Sequence, residues 1–345
     1  MPDPTQREPI ARGRAAFVPL STGLMTPVRR RAIRDGLTIV GFLGVAFLFV
    51  KTVIEGGGAD TRAFWGIHLD SLYGGLQWLQ NGAHIYSPAF YEALLPLSFL
   101  TWPVFVAVWA AIALACLVWI VRPGPWLGVA VLWVGIVGEI QGGNIHMLMA
   151  AAIVAGFRYP EAWSLLLLTK VVPGIGVLWF PLRGDWRGFT RAIGATVAIA
   201  AVSFVVAPAL WFDWIRLLLG LTHYASQGAT TLFGVPLLPR VAIALVVLAW
   251  GARTNRAWVL PIVAVLASPL VNVAPSMLVA CIPLARERRW ATAGRRLRVN
   301  AHVEREAGQG IVEYGIILGL MAIVAALALV FFGDQIRAII SVFAK

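Results

Sequence analysis

The 345-residue chain is 59% hydrophobic and only 13% charged, with 15 tryptophans and a mean hydropathy of +0.81. No water-soluble domain can cover its surface from that composition, so the chain reads as an integral membrane protein. The formal charge of +12 does not argue for nucleic acid, because most arginines stand in short clusters between apolar runs, where they determine topology.

In chain order, residues 1–36 form a polar tail carrying RRRAIR and show no cleavable signal peptide. Apolar runs follow at 37–54, 88–101, 103–121, 124–138, 143–157, 162–182, 190–208, 236–251, 257–272, 275–285 and 310–332. They are continuous rather than alternating, which excludes a β-barrel and predicts an all-α polytopic bundle. The bundle has about nine to eleven transmembrane or re-entrant helices, the runs below about 15 residues being candidates for re-entrant segments. Cys116 and Cys281 both fall inside such runs, so neither a disulfide framework nor a zinc site is supported.

With RRRAIR in the cytoplasm, residues 55–87 are external, and RGDWRGFTR, RTNR and RERRWATAGRRLR all fall inside. That count needs a break at Thr101-Trp102-Pro103, where proline suits a helix start. The runs 124–138 and 143–157, joined by GEIQGGNIH, form either a hairpin across the membrane or a re-entrant one. Residues 211–224 read as an interfacial amphipathic helix, and 64–81 as a weaker one broken at Gly74-Gly75. The domain reading is a basic cytoplasmic tail (1–36), a membrane domain (37–290), a basic linker (291–308) and a last helix (309–345).

The first external loop holds ADTRAFWGIHLD. Asp60 is followed by RAFW, which pulls it toward the lipid boundary. A partly desolvated carboxylate there either rises in pKa and serves as a general base or stays ionised beside Arg62. Asp70 is the second candidate, with solvated surface as its alternative.

Charged groups inside apolar runs are costly enough to point to function. Lys170, in LLTKVVPG, is placed to meet an anion where Pro173-Gly174 breaks the helix, the alternative being a snorkelling lysine. Gln141, Asn144 and His146 flank Gly142-Gly143, a turn that either presents donors to an anion or sugar or is a plain tight connection. Tyr86 opens the next run as either a belt aromatic or a site residue. No Asp-x-Asp pair, Walker loop or glycine fingerprint follows a strand, so nucleotide donors are disfavoured. No metal or cofactor is expected.

The segments GADTRAFW, IYSPAFYEALLPLSFLTWPVFVAVW, EIQGGNIHMLM, LLTKVVPGIGVLWFPLRGDWR and ASPLVNVAPSMLVACIPL, in that order, resemble the polytopic glycosyltransferases of family 87, over about residues 37–290. That family is similar to the GT-C superfamily. The resemblance implies an inverting hexosyl transfer, mannose first among the sugars, from a polyprenyl-phosphate donor to a glycolipid or envelope-glycan acceptor on the external face of the plasma membrane. It implies that Asp60, or failing it Asp70, is the essential loop acid that deprotonates the acceptor hydroxyl.

The C-terminal EREAGQGIVEYGIILGLMAIVAALALVFF resembles the small Flp-type (type IVb) pilins, with Gly308, Glu313 and Tyr314 on their processing motif. That resemblance implies a prepilin peptidase as partner, cutting after Gly308; an extra anchoring helix is the alternative. A multi-spanning transporter is the other class the composition admits, but no internal repeat is visible in the spans.

Overall fold

Thr26 and Pro27 make a helix start: the threonine Oγ1 accepts the Arg29 N–H at 3.3 Å, and proline fills the first position, where no N–H is needed. The helix that follows, α1 (Pro27–Glu55), therefore takes RRRAIR into its first turns and begins ten residues before the apolar run, ending on left-handed Gly56. In the computed structural model residues 26–73, 84–225, 235–269 and 274–286 are described. Every regular element among them is a helix.

A short α2 (Ala59–Trp65) and a 3-10 turn (Leu69–Ser71) lead toward α3 (Pro88–Ser98) and α4 (Trp102–Val121), which are separated at the break expected from Thr101-Trp102-Pro103. Next come α5 (Pro125–Val131), α6 (Val134–Gly142), α7 (His146–Ala155), a 3-10 turn at Pro160–Ala162 and α8 (Trp163–Thr169). A 3-10 turn over Pro173–Leu178 then joins α9 (Trp179–Leu182). The rest is α10 (Trp186–Val206), α11 (Pro208–Ala225), α12 (Leu237–Thr254), α13 (Val259–Leu266), a 3-10 turn at Ala274–Ala280 and α14 (Cys281–Arg286).

Four of these helices, α1, α4, α10 and α12, are long and apolar enough to cross a membrane, and α5 with α6 makes a fifth candidate bent by 71°. The runs at 143–157, 162–182 and 275–285 do not yield single long helices: the first holds only α7, Pro173 and Gly174 interrupt the second, and the third is a 3-10 turn followed by α14. Half of the most apolar stretch of α4 is buried against 17% for α1 and α10, so α4 is the central post. The outer faces of α1 (Phe42, Leu43, Phe47) and α10 (Val202, Val205) are left for lipid.

The bundle closes by backbone proximity as well as by side chains. A Cβ at Gly41 of α1 would stand 2.8 Å from the Gly128 nitrogen of α5, and one at Gly128 would collide with the Leu37 carbonyl. Small residues that let helices approach are a main source of packing energy where lipid offers no hydrophobic drive.

The interfacial segment at 211–224 is α11, with Leu210, Trp214 and Leu217 buried and the Asp213–Arg216 pair outside. The weaker segment at 64–81 is not one helix in its described part. There α2 stops at Trp65, and Gly66 turns the chain before the 3-10 turn. Residues 74–81, the linker 291–308 and the pilin-like segment with Gly308, Glu313 and Tyr314 lie outside the described residues.

Candidate active site

Gly56 and Gly57, both at positive φ (81° and 68°), swing the chain off the end of α1 and start α2 across the bundle. Two glycine contacts then seat α2 on the α6–α7 turn. A Cβ at Gly58 would lie 2.6 Å from the Gly142 Cα, and one at Gly143, itself at φ 72°, would collide with the Thr61 side chain. The Trp109 indole of α4 donates to the Gly143 carbonyl at 2.8 Å. Phe64 anchors the other end of α2 among Tyr86, Phe90 and Trp109, with ring centroids 5.0–5.8 Å away. Trp65 donates to the Leu100 carbonyl at 2.7 Å.

This seating fixes Asp60, half-buried in the first turn of α2. Burial holds its carboxyl above the usual carboxylate range; the Lys170 charge opposes the rise and the Glu139 charge adds to it. Asp60 and Lys170 sense each other without a direct ion pair within 4.0 Å. Tyr86, fully packed in the aromatic cluster, is within electrostatic reach of Asp60 and Glu139.

Lys170 ends α8, where the backbone leaves helical geometry (φ −128°, ψ 89°). Its Nζ lies 2.7 Å from His146 Nε2. His146 opens α7, and its Nδ1 lies 2.9 Å from Glu139 Oε2. Glu139, on α6, also accepts the Met147 N–H at 3.1 Å and the Ser276 hydroxyl at 3.3 Å. A buried carboxylate is tolerated only when its lone pairs are filled in this way.

The structure thus brings Asp60, Lys170, His146 and Tyr86 to one place. Asp70 is exposed in the 3-10 turn after α2. Arg62 points outward over the Trp102 ring, 4.7 Å from its centroid, rather than toward Asp60. The Gln141 amide donates to Glu55 Oε2 at 2.8 Å, and Glu55 is also held by Lys51. Asn144 is half-buried, and its N–H and that of Gly143 both turn back to the Glu139 carbonyl. The main-chain donors of the glycine turn are therefore used in closing α6, and the turn serves to dock α2.

Glu139 and Ser276 were not singled out in the sequence. For Glu139 a signal was present, a lone carboxylate inside the apolar GIVGEIQGG. Ser276 reaches it from 137 positions away in sequence, and nothing local marks it. Among the described residues no group of three or more His, Cys, Asp or Glu converges as a metal site.

Residues 84–301, well over half of the chain, match glycosyltransferase family 87. The chain belongs to this family. No curated protein and no solved structure matches it. As a family 87 member it is a membrane glycosyltransferase. The matched region contains Glu139, His146, Lys170 and Tyr86, whereas Asp60 and α2 precede it. In this glycosyltransferase the α2 carboxylate comes from outside the matched region and is docked onto it through Gly58 and Thr61.

Proposed function

We propose that this glycosyltransferase moves a hexose, with mannose the first candidate, from a polyprenyl-phosphate donor to a glycolipid or envelope-glycan acceptor at the external face of the plasma membrane. The observation that carries the reading is the juxtaposition of a half-buried Asp60, without an ion-pair partner among the described residues, with Lys170 inside an apolar helical bundle. The basic clusters at RRRAIR, RGDWRGFTR and RTNR support the orientation, since all fall inside when the Asp60 loop is outside.

In this mechanism Asp60 takes the proton of the acceptor hydroxyl, and the freed oxygen attacks the anomeric carbon. The bond from that carbon to the phosphate oxygen breaks, and polyprenyl phosphate leaves from the opposite face with inversion. Lys170 stabilises the charge gathering on the phosphate, where a fixed cation acts most strongly because water is excluded.

The test is transfer of radiolabelled sugar from polyprenyl-phosphate mannose to envelope lipids in membranes containing wild type or Asp60→Asn. Loss of the base lowers the rate by about 10²- to 10⁴-fold while the protein remains folded. Equal rates would move the base to another carboxylate, Asp70 first. Absence of transfer from every polyprenyl donor in the wild type would overturn the donor class.

A further inference from the structure

Glu139, His146 and Lys170 form an unbroken hydrogen-bonded line through the junction of α6, α7 and α8. The side chains of His146 and Glu139 are 3% and 0% exposed, so protein groups alone decide where their protons sit. A lysine ammonium has three donors and no acceptor, and an ionised carboxylate only accepts. Nε2 must therefore offer its lone pair to Lys170 at 2.7 Å, and Nδ1 must carry the proton it gives to Glu139 at 2.9 Å. The opposite tautomer would set N–H against ammonium and a bare nitrogen against the carboxylate.

Glu139 is itself held in one pose. Its Oε1 accepts from the Met147 N–H, in the first turn of the helix that His146 begins, and its Oε2 also receives the Ser276 hydroxyl. Carboxylate and imidazole are thus fixed to each other through α7. Only one of the three ammonium hydrogens of Lys170 is used by His146, and Asp60 stands within electrostatic reach but beyond ion-pair distance.

We infer that Glu139 is a positioning residue: by locking His146 in its Nδ1–H tautomer it makes Nε2 the tether that holds the Lys170 ammonium away from Asp60. The consequence for transfer rests on the function proposed above. A lysine free to swing would pair with Asp60, occupying the base and the phosphate-binding cation together. Tethered, it leaves both available.

Glu139→Gln keeps the shape and reverses the instruction. The single amide oxygen goes to the Met147 N–H, the amide NH₂ then faces Nδ1, and the imidazole must move its proton to Nε2, toward the ammonium. Two measurements follow. Histidine-selective ¹⁵N NMR of the full chain in lipid, with the His146 signal identified by its loss in His146→Gln, shows protonated Nδ1 and bare Nε2 in wild type and the reverse in Glu139→Gln. A wild-type Nε2–H, or an unchanged tautomer in Glu139→Gln, would overturn the inference whatever the substrate.

In the transfer assay Glu139→Gln raises the donor KM by roughly ten- to a hundred-fold, the range for losing a hydrogen bond to a charged group, and leaves the acceptor KM unchanged. In a Lys170→Met background the same substitution adds nothing, because the residue it acts through is gone. An equal further rise in that background would overturn the inference. If wild type transfers nothing from a polyprenyl donor, the proposed function fails while the NMR result still decides the tautomer.

Discussion

Two carboxylate-bearing regions of the molecule have opposite electrostatic designs. At the edge of α10, Glu161 and Arg191 meet in a two-pronged pair at 2.7 and 3.0 Å, with their side chains 43% and 45% exposed. Those hydrogen bonds hold Glu161 below the usual carboxylate range. At the α2 and α6–α8 site, Asp60 has no ion-pair partner among the described residues and burial raises it, while the nearby cation is tied to a histidine instead. In water a charge is satisfied cheaply and its pairing is screened to little consequence. At depth a charge is expensive, and its reactivity is preserved by keeping its counter-charge at a set distance.

The harshest way to break this contrast is to move Asp60 without touching it. Gly143→Val puts a branched side chain at positive φ and drives it into Thr61, with strain of about 1–3 kcal/mol. Displacing the adjacent Asp60, the proposed base, by about 1 Å costs about 10²-fold in rate. We expect near-complete loss of transfer with a lowered melting midpoint in detergent, both read on the same preparation. Full activity would mean that α2 does not rely on this turn.

A gentler probe is proton concentration. Protonated Asp60 cannot accept a proton, and its folded-state affinity for one is raised. The acid limb of kcat/KM therefore lies above the usual carboxylate range, with rate falling about tenfold per pH unit below it. Stability has the same sign: protonation favours the folded form, so ionisation costs stability as pH rises through the folded pKa. Asp60→Asn is then at least as stable as wild type at neutral pH, and a clear loss of stability would show that the carboxylate is a structural group. The smallest effect is expected at the other pole. The lowered pKa of Glu161 lends stability above its unfolded pKa, lost as pH falls through the folded one. Because the pair is exposed, Glu161→Gln leaves the neutral-pH melting midpoint and the transfer rate unchanged.

The long apolar helices α1, α4, α10 and α12 were legible because an uninterrupted hydrophobic run has few other fates. The break before α4 and the one after Lys170 were legible from proline and glycine. The bend between α5 and α6 was not, since Leu132 and Trp133 carry no breaker signal and an isolated glycine such as Gly135 is tolerated within a helix. Within the site, Asp60 and Lys170 stood out because charge near lipid is conspicuous. Arg62 stands out as a charge beside Asp60 and Gln141 as a hydrogen-bonding group at the glycine turn, yet they face Trp102 and Glu55, since side-chain direction depends on how α2 and α6 dock. Glu139 is masked in the sequence by the amides and glycines beside it, and its pairing with Ser276 exists only once the chain has folded.

At Gly58 and Gly142 main chain meets main chain. Of the side chains of α2 only that of Thr61 meets the turn, against Gly143, so the location of the proposed base is set largely by backbone against backbone. A substitution in the surrounding loops that leaves Gly58 and Gly142 in place therefore leaves the distance from Asp60 to Lys170 as it is.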